Sequence, residues 1–548
     1  MKTIGIRDVI GPIMVGPSSS HTAGALRIAY LCRKLLGSEP VHAVFKLYGS
    51  FSHTHAGHGT DRALVAGLLG MKADDLRIRD SFAYAEKAGL TFSFESLPDV
   101  RTPHPNTVDI AVTDAAGVSV EVRGESIGGG VAQITRINGV DVQLTGAYHS
   151  IVVRQRDAKG VLAHIASVMN ACDINIATVR LFRERKGEIA FTIMQTDDEI
   201  PAGVSDALLL HPDIYEVRIV KSDRVDAAQA PAPAPLPSAD PFGQNLTVPQ
   251  AAALFEKLDF ATAADMLAYC DAEQVPLSRA ICRRERCLLA SDGIAADDTR
   301  NYLFQVLDVM RASAREPLEN PRPSMGGLLG GEAAKLAALG ESGPLAPLTA
   351  KAVTYAMAVL ETNGSMGRIV AAPTAGASGV LPGVLMACQD IHGFTDEQLE
   401  RALACAAAVG YLITRNANVS GAEGGCQAEV GSASAMAAAA VCELFGGCPR
   451  QCLDAASNAL MGLMGLVCDP VGGLVEVPCQ KRNATGAANA LVSAQIALAG
   501  IPTMVNFDET VEAMRRVGAA LPFELRESAL GGIAATPSAC GYCSGCAH

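Results

Sequence analysis

The sequence predicts a multidomain protein with an α/β N-terminal domain, a βαββαβ middle domain and an all-α C-terminal domain. A length of 548 residues exceeds what one hydrophobic core usually supports. The segment 227–241, AAQAPAPAPLPSADP, alternates Ala and Pro, which favours extended polyproline geometry and excludes a packed helix or a central strand. The pattern changes across it: strand-like and helix-like stretches mix upstream, whereas the downstream chain reads as helices joined by Gly-rich turns.

Residues 1–146 form the first domain, with strands such as AVFKLYGS, VDIAVTDA and VSVEVRGES around helices such as TAGALRIAYLCRKLL. In 147–222, HSIVVRQRD alternates like a strand and GVLAHIASVMNAC repeats apolar residues at helical spacing. INIATVRLFRER and EIAFTIMQT then read as a hairpin, and a further helix precedes YEVRIVKS. A linker covers 223–245, and 246–548 is helical. Hydrophobic residues make up 49% of the chain but aromatics only 5%, with no Trp, so the core must come from Ala, Leu, Val and Met at close range. Bundled helices with small contact residues suit that composition. The uncharged stretches 369–389 and 483–506 are long enough to span a bilayer. The first is cut by Pro373, Gly376, Gly379, Pro382 and Gly383, and the second carries Asn, Thr, Ser and Gln, so both read as buried core and no membrane partner is expected.

A net charge of -13, spread along the chain, argues against nucleic acid as a partner. Arg7 and Asp8 interrupt what would be the apolar stretch of a signal peptide, so a cytoplasmic protein is expected. Sixteen cysteines are many for a compartment where thiols stay reduced. Cys32, Cys172, Cys270, Cys388, Cys405 and Cys442 sit in no distinctive setting and read as small buried hydrophobes.

Cys426 in GAEGGCQAEVG, Cys468 in GLVCDPVGG and Cys479 in VEVPCQKRNATG stand apart, each in a Gly- or Pro-marked turn whose backbone lets thiolates converge. A structural zinc would want a fourth Cys or His, commonly with close paired spacings, which these three lack; spacing alone does not decide between zinc and iron–sulfur. Three thiolates on a four-iron cluster would leave one iron open for Lewis-acid chemistry on a hydroxyl. In the N-terminal domain, Ser18 and Ser20 stand just ahead of an amphipathic helix whose free amides favour a carboxylate, and His21 and His58 can move protons near neutral pH.

The strings SMGGLLGGEAAK (324–335), PTAGASGVLPGVL (373–385), GAEGGCQAEVGSASAMAAAA (421–440) and CDPVGGLVEVPCQKRNATGAANA (468–490) resemble the catalytic α domain of bacterial iron–sulfur L-serine dehydratases. GPSSSHTAGA (16–25) and YGSFSHTHAGHGTDRAL (48–64) resemble the β domain of that family. One departure is His55, where the family usually has Gly. The resemblance implies a lyase of amino-acid degradation, feeding gluconeogenesis, that converts L-serine to pyruvate and ammonia. It implies a 4Fe-4S cluster on Cys426, Cys468 and Cys479, with the fourth iron binding substrate. His58, His21 and Ser20 are the expected catalytic residues, and Ser18, Thr22, Ser324, Thr374 and Ser378 the expected substrate contacts. Cys546 or Cys543, in the tail run with Cys540, matches by position a family cysteine that occupies the open iron. Residues 147–222 resemble an ACT domain, a ferredoxin-like module that often binds amino-acid effectors, with Asp157, Gly160, Val161 and Leu162 at its ligand loop. A homodimer is expected. Cysteine desulfidation by the same chemistry, and an amino-acid sensor with a structural metal, are the competing functions. A pyridoxal phosphate enzyme is disfavoured because Lys335 lies in a helix-like run.

Overall fold

The computed structural model describes residues 3–183, 185–196, 199–201, 203–222, 246–294 and 298–542. Its contacts divide the chain into two compact units, Met1–Ser19 with Pro235–His548, and Ser20–Ala234. The expected linker, 223–245, lies outside the described residues.

The unit Ser20–Ala234 contains two sheets. In the six-stranded sheet, Pro40–Tyr48 pairs parallel with Thr91–Leu97 and antiparallel with Thr107–Asp114; Ser119–Ser126, Ala132–Ile137 and Val140–Leu144 continue the antiparallel ladder. The helix Ala25–Leu36 buries Leu26, Ile28, Leu31, Leu35 and Leu36 against it, and ends at Gly37 in the left-handed conformation. The helix Thr60–Leu68 lies close to Ala25–Leu36 because Gly67 has no side chain: a Cβ there would collide with Leu26 O and stand 2.8 Å from the Ala29 Cβ.

The four-stranded antiparallel sheet has the order Ile214–Val220, His149–Arg156, Ile189–Thr196, Thr178–Arg183. Its element order is strand, helix, strand, strand, helix, strand, with Val161–Ala171 and Val204–Leu209 as the helices. Their apolar residues Val161, Ile165, Met169, Val204 and Leu208 pack with Ile151, Val153, Met194 and Val217 of the strands.

The helical unit is built on Pro347–Gly364, Val380–His392, Asp396–Asn416, Ser432–Leu444, Pro449–Leu463 and Cys479–Leu498. Small residues set their spacing: a Cβ on Gly383 would stand 2.8 Å from Ala352 O and 2.9 Å from Ala356 Cβ. In Ser432–Leu444, every residue from Ser432 to Cys442 is buried. The unit departs from the expected all-α class where Ile13–Val15 pairs antiparallel with Arg368–Val370 and where Cys468 and Arg526 form an isolated parallel bridge. Arg284, 1% exposed, fixes the same N-terminal segment by donating to Ile4 O (2.9 Å) while its other nitrogens engage Asp259 (2.6 Å and 3.1 Å). No helix among the described residues is long and apolar enough to cross a membrane.

Gly67→Val should lower the unfolding free energy by about 2–3 kcal/mol, the usual cost of overpacking a tight helix contact. Gly89→Ala, where φ is +72° but nothing lies within 4 Å of a Cβ, should cost about 1 kcal/mol from backbone strain alone. Urea titration of both variants measures the difference.

Candidate functional site

In the helical unit the three turn cysteines converge. Cys426 follows the short helix Gly421–Gly424 and Gly425 (φ +74°), and leads into a π-wound turn, Gln427–Gly431. Such turns cluster at functional sites. Cys468 is pinned on both sides, its N–H donating to Leu525 O (2.9 Å) and its carbonyl accepting from Glu527 N (2.8 Å). Cys479 opens the helix Cys479–Leu498 directly after Pro478. Asn483, one turn later, donates to Cys479 O (2.9 Å) and Gly376 O (2.8 Å) and accepts from Gly379 N (3.0 Å), tying the PTAGASG loop to the Cys479 turn.

All three cysteines are buried. The Cys426 sulfur, followed by burial, holds the Cys468 thiol well above its ordinary range, with Glu429 and Glu527 adding to the effect. Burial raises Cys479 strongly as well; Cys426, Glu429 and Glu527 add to the shift and Arg482 opposes it. Glu429 accepts from Thr374 Oγ1 (2.8 Å) and stands 4.0 Å from Cys468 Sγ; burial raises its carboxyl to about 7. Glu527 is raised to about 8 by burial and then by Glu429. Two glycines keep room around Glu429: a Cβ on Gly421 would stand 2.6 Å from its Oε2 and 3.1 Å from Cys468 Sγ, and one on Gly376 would stand 3.2 Å from its Oε1. Arg482 is the nearby cation, held by Asp469 Oδ1 (2.7 Å) and Val467 O (2.8 Å). Buried thiols and carboxyls raised by burial and, for Cys468, Cys479 and Glu527, by their neighbours form a donor set suited to a multiply charged cationic centre, because a cation reverses those penalties. The residues therefore fit an iron–sulfur group.

Of the expected substrate contacts in this unit, Thr374 faces Glu429, whereas Ser324 and Ser378 are engaged in holding loops. Ser324 Oγ donates to Glu476 Oε2 (2.7 Å) and accepts from Leu329 N (3.1 Å), and Gly326 N and Leu328 N donate to the same carboxylate (2.7 Å and 3.0 Å). Glu361 does the same for Gly331 N and Ala333 N (3.0 Å and 2.7 Å). Ser378 Oγ receives a long bond from Asn363 Nδ2 (3.4 Å). Sequence reasoning missed Glu429, Glu476, Glu361 and Glu527. Glu429 carried a usable signal, since it lies three residues after Cys426 inside the same motif.

The serines 18–20 do not simply precede a helix, as expected from sequence. Ser19–Gly24 is itself a π-wound turn running into Ala25–Leu36; within it His21 and Thr22 are buried and Ser20 is half-buried, and Ser18, also buried, precedes it. His21 is fully buried, with Nε2 2.8 Å from Ser50 Oγ and Nδ1 3.0 Å from Ser20 Oγ. Its ring meets that of His58 edge-on at 4.5 Å. Thr22 Oγ1 donates to His58 O (2.7 Å), which fixes the turn that carries His58. Both ring nitrogens of His58 are buried without a hydrogen-bond partner among the described residues. Burial lowers His58 to about 4, and burial, then His58 and His104, lower His21 well below 6.5, so both rings are neutral at pH 7. His55 sits apart, its Nδ1 3.3 Å from Ser52 O.

In the four-stranded module, Asp157 accepts from Gly187 N (3.0 Å) and Arg183 Nη1 (2.7 Å), which lower its pKa. Gly160 (φ +91°) starts the helix Val161–Ala171, with Val161 buried and Leu162 exposed. Cys543 and Cys546 lie outside the described residues; Cys540 ends a short helix, exposed.

Residues 194–534 match the family described as Serine dehydratase alpha chain, and residues 8–88 the one described as Serine dehydratase beta chain. A probable L-serine dehydratase alpha chain of Bacillus subtilis is 47% identical over 267 residues, 46% of this chain and 89% of that protein. The probable beta chain of the same organism is 39% identical over 217 residues, 40% of this chain and 98% of that protein. An L-serine dehydratase of Streptomyces coelicolor is 29% identical over 534 residues, 95% of this chain and 96% of that protein. With both matches on one polypeptide, beta before alpha, the chain belongs to the serine dehydratase family.

Proposed function

We propose that the protein is an L-serine dehydratase, a lyase that converts L-serine to pyruvate and ammonia with a 4Fe-4S cluster on Cys426, Cys468 and Cys479. The observation that carries this reading is the burial of three thiols from three separate turns against Glu429 and Glu527. The chemistry such a cluster supplies when bound is Lewis acidity toward a hydroxyl leaving group.

The remaining work falls to side chains. His58 is the proposed base: its ring is neutral, its nitrogens are uncommitted, and the edge-on His21, held by Ser50 and Ser20, fixes its position. A neutral imidazole can take the α-proton of serine as the hydroxyl departs; the aminoacrylate so formed tautomerises and hydrolyses to pyruvate and ammonia. Ser18, Thr22 and Thr374 are the proposed contacts to the carboxylate and amino groups. Ser324 and Ser378 are proposed as further contacts, with Glu476 and Asn363 holding their loops. Residues 147–222 are proposed as an ACT-like module; its strand order places the two outer elements of the sequence, Ile214–Val220 and His149–Arg156, side by side as a ferredoxin-like sheet requires. An amino-acid effector is its proposed ligand.

Protein purified without oxygen should contain about four irons and four sulfides per chain and form pyruvate from L-serine. Cys468→Ser should lose most of the iron and about a thousandfold or more in rate; full activity in iron-free protein would end the proposal. His58→Gln should keep its iron and lose about 10²- to 10⁴-fold in kcat with KM little changed, the range for a general base. Because His58 is about 4 when folded against 6.5 unfolded, the unfolded chain binds the proton first as pH falls. Stability should therefore drop between pH 6.5 and 4, by up to about 3 kcal/mol from this group, and drop less in His58→Gln. Urea midpoints at pH 7.5 and 5 read the difference.

A further inference from the structure

A second thiol group lies in the helical unit where Asp396–Asn416, Ser432–Leu444 and Pro449–Leu463 meet. The donor atoms of Cys405, Glu443 and Cys452 all lie within 4.8 Å of one another. Cys442 adjoins them: its thiol and that of Cys452 are near enough to perturb each other's ionisation, and Cys452 is perturbed in turn by Cys405. All three cysteines are buried.

The backbone around these thiols is shaped to them. The turn between Ser432–Leu444 and Pro449–Leu463 contains Gly447, where a Cβ would collide with the Cys442 sulfur and stand 2.8 Å from Cys442 O. Gly447 N donates to Cys442 O (2.8 Å), and Gly447 O accepts from Cys452 Sγ (3.8 Å). The carboxylate is aimed from the other side, with Glu443 Oε2 accepting from Ser278 N (3.2 Å) at the start of Leu277–Ser291. Arg401 also faces Glu443.

Three sulfurs and one carboxylate oxygen make a four-donor set. Tetrahedral zinc takes thiolate ligands at about 2.3 Å, which puts neighbouring donors roughly 3–4 Å apart; the donors of Cys405, Glu443 and Cys452 already lie within 4.8 Å of one another, and Cys442, beside Gly447 and Cys452, would move in as the fourth donor. Soft sulfur donors select zinc over magnesium or calcium. We propose that Cys405, Cys442, Cys452 and Glu443 form a closed, structural site for a thiophilic divalent cation, Zn²⁺ first. Each thiol releases its proton to solvent as its sulfur–metal bond forms, and Arg401 offsets part of the remaining negative charge. The ion would join three helices that otherwise meet through small side chains.

The test uses the full chain purified without oxygen, equilibrated with Zn²⁺ alone and washed with a chelator that strips exposed sites. About one tightly held zinc per chain is expected, with iron counted in parallel. The double variant C405S/C452S should lose that zinc and keep its iron, while Cys426→Ser and Cys448→Ser, the latter at an exposed cysteine of the same turn, should keep the zinc. Co²⁺ in place of Zn²⁺ should give thiolate-to-cobalt charge-transfer absorption in the parent protein. Zinc absent from the parent, zinc retained by the double variant, or zinc lost with Cys426 would overturn the proposal. Should the double variant fail to fold, the parent still decides, since cobalt without thiolate bands excludes the site.

Discussion

Like charges gathered in a space that water does not reach govern the helical unit. Burial raises Cys479, Glu429 and Glu527 and helps raise Cys468; Cys426, Glu429 and Glu527 raise Cys468 and Cys479 further, and Glu429 raises Glu527, so positive charge is what would favour their ionised forms. Such a pocket must be built by its surroundings, because its own members repel. Gly421 and Gly376 leave the space, Asp469 fixes Arg482 beside it, and Asn483 ties two of the motif loops together. Glu476 and Glu361 serve the loop 324–333 in the same way, each gathering two backbone amides that no helix or sheet satisfies.

The N-terminal histidines follow the opposite logic. His21 and His58 are neutral because they are dry. A base in that condition needs no deprotonation before it can act. Two widened turns, Ser19–Gly24 and Gln427–Gly431, bring His21 and Cys426 to their positions, so unusual backbone occurs beside both groups of reactive side chains.

Much of this could be read from the chain alone, and the reason is locality. The alternation in HSIVVRQRD and the helical spacing in GVLAHIASVMNAC each depend on neighbours a few residues apart, and the elements His149–Arg156 and Val161–Ala171 appear where those patterns run. The three turn cysteines were visible because glycine and proline mark turns. What could not be read depends on distant partners. Nothing in 57 acidic residues says that Glu476 will be buried and accept from Ser324, 152 positions away. Cys405 and Cys442 gave no sign of meeting Cys452 for the same reason. Ile13–Val15 carries too short a pattern to announce a strand, and its partner lies more than 350 residues on.

That strand bears on how the protein comes to be made. During synthesis the first residues emerge long before Arg368–Val370 exists, and Arg284, which grips Ile4, is also far behind. The segment 20–234 has its internal partners in hand much earlier. The helical unit can thus complete its Ile13–Val15 pairing only after Arg368–Val370 has been made. Contacts of such long sequence separation form slowly, so this pairing is among the late steps by which the helical unit closes.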